Sequence, residues 1–402
     1  MTNIYSAVKV SDHVYWVGAI DWSIRDFHGY TTPHGSTYNA YLILADKITL
    51  IDAVKAPFLD EMLARIASVI DPARIDYVVS NHSEQDHCGC LLKIIDRVKP
   101  EKAFASTMGV KTLKEIFHDD CPILPVKDGE KLSLGNMDLQ FMETRMIHWP
   151  DSMFSYLEKD GVLFSQDAFG MHLATLERFA DELPADQLEY EAATYYANIV
   201  LPYSPVVLKT LEKVAATGWA IKTFAPDHGP IWRKGLDKMI NLYKKWASQR
   251  PGHKAVVVYA TMWHSTEMMA KAIAEAMAAE GLQVRLLSMN DVHRSEVVYE
   301  VLEAGALIAG SPTLNNNILP QMADVMTYLK GLKPANMIGA AFGSYGWSGE
   351  SVKDLEGILR EMKVEIVADP VSAKHVPGED VLEKCAQLGK AVAAELKKRI
   401  SQ

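Results

Sequence analysis

Two histidines, a glutamate and an aspartate crowd the stretch "NHSEQDHCG" at residues 81–89, where His82, Glu84, Asp86 and His87 fall within six residues. Charged side chains taken out of water are strongly unfavourable unless they are paired or bound to metal, so this cluster demands a neutralising partner. Imidazole and carboxylate together form a ligand set for a transition metal. Further candidates stand downstream: His148 in "IHWPDS", Asp167 in "FSQDAFG" and His228 in "APDHGP". A lone histidine in such a setting is more often a hydrogen-bonded structural residue than a ligand, but an ordered set carries more weight. The four cysteines, Cys88, Cys90, Cys121 and Cys385, form no CxxC pair and are expected to be reduced, partly buried thiols. Cys88 and Cys90 lack partners at zinc-site spacing.

The elements around these residues decide whether they can meet. "HVYWVGAI" and "TYNAYLILADKITLIDAV" alternate as strands do, with Asp46 and Lys47 at a hairpin turn. "FLDEMLARIASVI" repeats apolar residues at helical spacing. Next, "IDYVVSNH" reads as a strand ending where the charged cluster begins, followed by a helix at "LLKIIDRV". The cluster therefore belongs at the carboxyl end of a strand. "KLSLGNMDLQFMETRMIHWP" and "VLFSQDAF" add further strands, with a turn at Gly135 and Asn136, and bring the later candidates to the same rim.

With 402 residues, 49% of them apolar, the chain is long enough for two cores. Its net charge of -10 argues against a polyanionic partner such as nucleic acid. The first residues lack an apolar stretch of signal-peptide length, and no later run approaches a membrane span, so a soluble cytoplasmic protein is expected. At "KKWASQRPGHK" the chain turns polar around Pro251 and Gly252, which marks a boundary between domains at 1–248 and 254–402. Beyond it, five short β-rich runs alternate with helical ones, the pattern of a doubly wound parallel sheet.

Three loops of the second domain fall at strand ends, where ligands bind in such sheets. "YATMWHSTE" carries Thr261, Met262, Trp263, His264, Ser265 and Thr266 ahead of a helix. "GSPTLNNN" carries Ser311, Pro312, Thr313, Asn315 and Asn316, and "GSYGWSGE" carries Ser344, Tyr345, Gly346 and Trp347. No glycine-rich dinucleotide signature is present, but Thr261, Ser265 and Thr266 resemble the flavodoxin phosphate loop. A Ser/Thr turn before a helix is also common capping chemistry, and a single tryptophan is usually packing. The three loops together point to FMN, its ring stacked on Trp347, Tyr345 or Trp263 and its polar edge bonded by backbone at Asn315, Asn316 and Gly346.

The order HxExDH, then His, Asp and His, resembles the metallo-β-lactamase fold in its diiron form. Hydrolases of that fold carry HxHxDH; here Glu84 replaces a histidine, adding negative charge and hardening the site toward iron. The resemblance implies one iron on His82, Glu84 and His148, another on Asp86, His87 and His228, and Asp167 between them. For His87 two readings stay open, a ligand or a bystander whose place a water takes. The resemblance implies an oxo- or hydroxo-bridged pair; with a bridging hydroxide, three carboxylates would cancel the charge of a diferrous pair and leave the reduced site formally neutral.

With the flavin loops included, nearly the whole chain resembles the flavodiiron proteins. The resemblance implies an α/β fold, a metallo-β-lactamase-like αββα sandwich followed by a flavodoxin-like sheet. It also implies reduction of dioxygen to water, of nitric oxide to nitrous oxide, or both, with electrons from a separate small donor such as rubredoxin. A head-to-tail homodimer or a dimer of dimers is expected by the same likeness. His28 in "RDFHGY" and Tyr196 in "TYYANI" resemble the family's pocket residues, as proton donors or walls of the cavity, although packing serves equally for both. His118 and His172 read as structural or solvated. Two rivals remain: a zinc hydrolase with a regulatory flavodoxin-like domain, disfavoured by Glu84, and an electron-transfer adaptor with a structural metal site.

Overall fold

Successive residues of a strand face opposite sides, so alternating apolar side chains can supply two cores at once. The computed structural model describes residues 4–118 and 122–401, which leaves Cys121 outside the described residues. The chain divides into two compact units, one made of Met1–Tyr195 and Pro205–Lys244, the other of Tyr196–Ser204 and Lys245–Gln402.

In the first unit a seven-stranded sheet runs, in spatial order, Val8–Lys9, Val14–Trp16, Tyr41–Ile43, Thr49–Ile51, Tyr77–Ser80, Lys102–Ser106 and Ile123–Val126. Asp46 and Lys47 turn the antiparallel pair Tyr41–Ile43 and Thr49–Ile51. A five-stranded sheet follows, Lys131–Ser133, Asp138–Glu143, Met153–Leu157, Val162–Gln166 and Thr223–Pro226. Gly135 makes the first turn of that sheet at φ 91°, a conformation open to glycine. Tyr41, Ile43, Val79 and Phe104 from one sheet share a core with Leu139, Phe141, Leu157 and Phe164 from the other. Their alternate neighbours Leu42, Val78, Ala103 and Ala105 face away, under Met62, Ile66, Leu91, Ile94 and Leu113 of the helices Leu59–Ala67, Leu91–Val98 and Thr107–Phe117. Each large aliphatic side chain enclosed in this way contributes about 1.5–3 kcal/mol.

Asp160, in the turn between Met153–Leu157 and Val162–Gln166, accepts hydrogen bonds from Ser11 Oγ, from the His13 backbone N–H at 2.9 Å and from His13 Nδ1 at 2.8 Å. Burial raises its pKa, but these hydrogen bonds outweigh burial and hold the carboxyl below its ordinary range. A depressed folded-state pKa stabilises the fold fully above the unfolded value, about 3.9, and the contribution is lost as pH falls through the folded value. Asp160→Ala is expected to lower the unfolding free energy by about 1–3 kcal/mol at neutral pH. In urea titrations the difference from the natural chain should shrink as pH falls below the unfolded value of about 3.9, and a difference that grows in acid would contradict the assignment.

The second unit holds a parallel sheet in the order Gln283–Ser288, Lys254–Tyr259, Ala304–Gly310, Ile338–Tyr345 and Glu365–Ile366, with Val371–Lys374 also pairing on Ile338–Tyr345. That is the doubly wound order in which the chain reverses direction beside its first strand. One face is covered by Ser265–Ala279 and Glu379–Ile400, whose Ile273, Met277, Leu388 and Val392 pack on Val257, Ile308 and Ala340. The strand Val371–Lys374 has no sequence signal, since "VSAK" neither alternates clearly nor is strongly apolar. Among the described residues no helix is long and apolar enough to cross a membrane.

Candidate metal centre and cofactor pocket

Strand direction brings the scattered polar residues together. Asp138–Glu143 and Val162–Gln166 are both antiparallel to Met153–Leu157, and Val162–Gln166 is parallel to Thr223–Pro226. The carboxyl ends of all three therefore lie at one edge, where His148, Asp167 and His228 follow. His82 and Glu84 follow Tyr77–Ser80 of the other sheet, and Asp86 and His87 sit on the single helical turn Gln85–Cys88. The Met153 N–H donates to the Asn81 carbonyl at 3.0 Å, joining the two sheets at this edge. Asn81 is fixed in turn by donating to both oxygens of Asp52, at 2.6 and 2.8 Å. After His228, Gly229 takes φ 74° and a Cβ there would stand 2.7 Å from the Met171 side chain, so the turn that aims His228 requires glycine.

The seven side chains form two groups, His82, Glu84, His148 and Asp167, and Asp86, His87 and His228. Asp167 spans them. Its Oδ2 lies 3.2 Å from His82 Nε2 and 3.0 Å from His148 Nε2, while its Oδ1 lies 3.3 Å from His87 Nε2 and 3.4 Å from His228 Nε2. Glu84 Oε2 is 3.3 Å from His82 Nε2 and 3.2 Å from His148 Nε2; Asp86 stands 3.4 Å from His87 Nε2 and 3.2 Å from His228 Nε2. Ligand bonds of about 2.1 Å put neighbouring donor atoms about 3.0 Å apart around an octahedral ion and about 3.4 Å apart around a tetrahedral one. The observed spacings are those edges. Both oxygens of Asp86, Nε2 of His87 and Oδ1 of Asp167 are enclosed without a hydrogen-bond partner, as donor atoms aimed at a cation would be. The residues fit a pair of metal ions.

Burial raises the carboxyl pKa values of Glu84 and Asp167, but hydrogen bonds and charge from the facing histidines outweigh it and hold both below the ordinary range. The imidazoles move the opposite way: burial lowers His148, yet Asp167 and Glu84 raise it to about 8, and Asp86, Asp227 and Asp167 raise His87 to about 10. Protons on these rings do the neutralising work of a cation, and a metal ion entering the site displaces them.

Outside the two groups, the His228 Nδ1–H donates to the Thr37 carbonyl at 2.6 Å, and His82 Nδ1 lies 3.2 Å from Asp151 Oδ2. His87 Nδ1 stands 3.7 Å from Asp227 Oδ2, too far for a hydrogen bond. Neither outer aspartate, Asp151 or Asp227, carries a sequence signal beyond its closeness to a candidate histidine. His28 Nε2 is 2.7 Å from Glu84 Oε1, and a cavity of about 610 Å³ lined by Phe27, His28, Lys55 and Phe117 opens onto Glu84 and Asp86. Tyr196 is a correction: its hydroxyl pairs with Ser204 Oγ at 3.0 Å and its ring lies on Trp246, both in the second unit. The tyrosine at the metal centre is Tyr195, with its ring 5.1 Å from His172 and 6.1 Å from His228. Consecutive residues of a helix point about 100° apart, so only one of the two can face the site. His172 is buried beside it, its Nδ1 2.8 Å from Ser36 Oγ, and burial and the neighbouring His228 hold it neutral. Cys88 and Cys90 belong to neither group; both are fully buried, and burial pushes the Cys88 thiol up to about 12.

In the second unit a cavity of about 500 Å³ opens at the carboxyl ends of Lys254–Tyr259, Ala304–Gly310 and Ile338–Tyr345. Met262, Trp263, Ser265, Pro312, Thr313, Asn315, Asn316, Ser344, Tyr345, Gly346 and Trp347 line it. Leu314, Ser348, His375 and Val376 line it too; the sequence did not single them out, the last two because they follow the unsignalled strand Val371–Lys374. Thr266 and Ser311 act behind the wall, through Thr266 Oγ1 to Ser344 Oγ at 2.9 Å and Ser311 Oγ from the Leu319 N–H at 2.9 Å. His264 faces outward to Glu267 at 2.7 Å. Thr261 Oγ1 is enclosed without a partner beside the start of Ser265–Ala279, where a phosphate would satisfy it. Trp347 is 91% exposed and Trp263 87%, an unusual cost for two indoles at one rim unless a ring covers them. The volume and this chemistry fit a flavin mononucleotide.

Residues 37–229 match the family model described as the ODP family beta lactamase, and residues 257–389 match that described as flavodoxin. The chain is 47% identical to the rubredoxin-oxygen oxidoreductase of Megalodesulfovibrio gigas, over 98% of this chain and 99% of that protein. It is 42% identical to the nitric oxide reductase of Moorella thermoacetica, over 97% and 98%. Among solved structures, rubredoxin oxygen:oxidoreductase from Desulfovibrio gigas superposes with a TM-score of 0.97, covering 99% of this chain and 100% of that one. The flavodiiron protein from Giardia intestinalis superposes at 0.93 with 33% identity, covering 98% of both.

Proposed function

Because the chain belongs to the flavodiiron proteins, we propose that it reduces dioxygen to water, nitric oxide to nitrous oxide, or both, drawing electrons from a rubredoxin-type donor. It is an oxidoreductase that uses FMN and a pair of irons. The observation that carries this reading is the position of Asp167, one oxygen toward each group of ligands. When bound, the irons and the flavin supply two electrons each, the four that dioxygen reduction requires. The zinc-hydrolase alternative is disfavoured by Glu84, which stands between His82 and His148 where an imidazole would suit zinc.

The chain's own groups have distinct tasks in this reading. His82, Glu84 and His148 would hold one iron and Asp86, His87 and His228 the other, with Asp167 offering one oxygen to each group. His28 holds the outer oxygen of Glu84 and stands at the mouth, where it can pass a proton inward. Phe27, Tyr195 and the neutral His172 form an uncharged wall suited to a diatomic gas. In the second unit the backbone and hydroxyls around Thr261 and Ser265 would hold the FMN phosphate, and Trp347 would stack on the ring. A head-to-tail homodimer and a cytoplasmic location belong to the same reading, as does the functional division at 1–248 and 254–402.

Trp347→Ala is expected to weaken FMN binding by about 5- to 160-fold, since ring stacking of this kind contributes about 1–3 kcal/mol. Iron content should not change; flavin fluorescence titration and metal analysis read the two effects separately. The function itself is tested by mixing fully reduced protein with each gas in an anaerobic stopped-flow instrument. Rapid reoxidation is expected, with one dioxygen consumed per four electrons and no peroxide, or with nitrous oxide formed. Slow reoxidation that releases peroxide would support an adaptor, and stoichiometric zinc in protein grown with both metals would support a hydrolase.

A further inference from the structure

Resting on the two-iron reading, we propose that Asp151 is a positioning residue for one iron site alone, holding the His82 ring so that its Nε2 points at the first iron. His82 is fully buried, and its Nε2 faces Glu84 Oε2 at 3.3 Å and Asp167 Oδ2 at 3.2 Å. With a metal ion on Nε2 the ring proton would reside on Nδ1, which points at Asp151 Oδ2, 3.2 Å away. The same oxygen accepts the Ser83 N–H at 2.7 Å, so one carboxylate fixes both the imidazole and the backbone next to it.

Asp151 is itself fastened. It is 1% exposed, and its carbonyl accepts from Ser106 Oγ at 2.7 Å; Ser106 Oγ also caps the helix Thr107–Phe117 by accepting the Gly109 N–H at 2.9 Å. The turn after Asp138–Glu143 thus sets both histidines of the first group, His148 directly and His82 through Asp151. An imidazole deprived of its Nδ1 acceptor is free to turn about χ2, a torsion with broad wells, and to present carbon where the metal needs nitrogen. An acceptor of this kind fixes the tautomer and raises the basicity of the ligating nitrogen. The second group has other supports. His228 is held by the Thr37 carbonyl, and His87 Nδ1 stands nearest Asp227, 3.7 Å away and beyond hydrogen-bond reach. The geometry gives Asp151 no hold on either.

The test uses the FMN-loaded protein reconstituted with iron-57, as the natural chain, Asp151→Ala and Asp151→Asn, followed by chelator competition and Mössbauer spectroscopy. In Asp151→Ala, one of the two irons should bind about 10- to 100-fold more weakly, while the other iron and the flavin keep their natural affinity. Asp151→Asn still offers an oxygen to Ser83 and His82, so affinity should return to within a few-fold of the natural chain. Its Mössbauer spectrum should change for one iron only, a rescue and a signature that a merely structural role would not produce. Retention of both irons at natural affinity in Asp151→Ala, or parallel loss of both, would overturn the proposal. If Asp151→Ala does not fold, judged by flavin content and far-UV circular dichroism, Asp151→Asn decides, and unchanged spectra for both irons overturn it. A natural chain that binds fewer than two irons would sink the two-iron reading instead.

Discussion

Replacing Asp167 with alanine is expected to strip iron from the protein and bring gas reduction down to background, with FMN still bound. No other side chain of the two groups faces so many partners: four imidazole nitrogens lie within 3.0–3.4 Å of its two oxygens. Alanine removes a donor atom from each iron and leaves His82, His87, His148 and His228 facing a smaller negative charge. Breaking a buried charge pair by removing one partner costs about 3–5 kcal/mol even before metal binding is considered. Iron per chain, measured by elemental analysis, should fall below one, and oxygen consumption with a reduced donor should vanish with it. Full oxygen consumption by this variant would refute the placement of the metal centre.

Glu84→His, the exchange toward the hydrolase pattern, is expected to turn the first site from iron to zinc. Glu84 is enclosed, with Oε1 on His28 and Oε2 between His82 and His148. Losing its charge leaves one positive charge uncompensated in the reduced pair. At about 4 Å and an effective dielectric constant of about 20, that amounts to about 4 kcal/mol, close to a thousandfold in iron affinity. The nitrogen-richer site also suits zinc better than ferrous iron. Metal analysis of protein produced with both metals present should show zinc displacing iron, and reductase activity should follow the remaining iron. A variant holding two irons and no zinc would contradict this account of Glu84.

Much of the site was legible because residue chemistry is local. His82, Glu84, Asp86 and His87 announce a metal by crowding, and the strand-like runs before His148, Asp167 and His228 place each at a strand end. The flavin loops were legible for a related reason: ligands gather at the carboxyl ends of parallel strands, and the three loops follow three such strands. The misplaced tyrosine shows the limit. In "TYYANI" either Tyr195 or Tyr196 satisfies the pattern, and only the rotation of the helix Ala185–Tyr195 against its neighbours selects Tyr195. His375 and Val376 went unread because they follow a short strand without alternation.

By itself, then, the sequence determined which chemical groups this protein owns, the two-domain pattern and the residue, Glu84, that tilts the metal toward iron. The tertiary structure alone decided which oxygen of Asp167 faces which histidines, which tyrosine lies beside His172 and His228 and that Asp151 stands behind His82. Side-chain identity and periodicity are properties of short stretches, whereas contacts between residues 69 positions apart, such as His82 and Asp151, depend on how strands pair and how sheets stack.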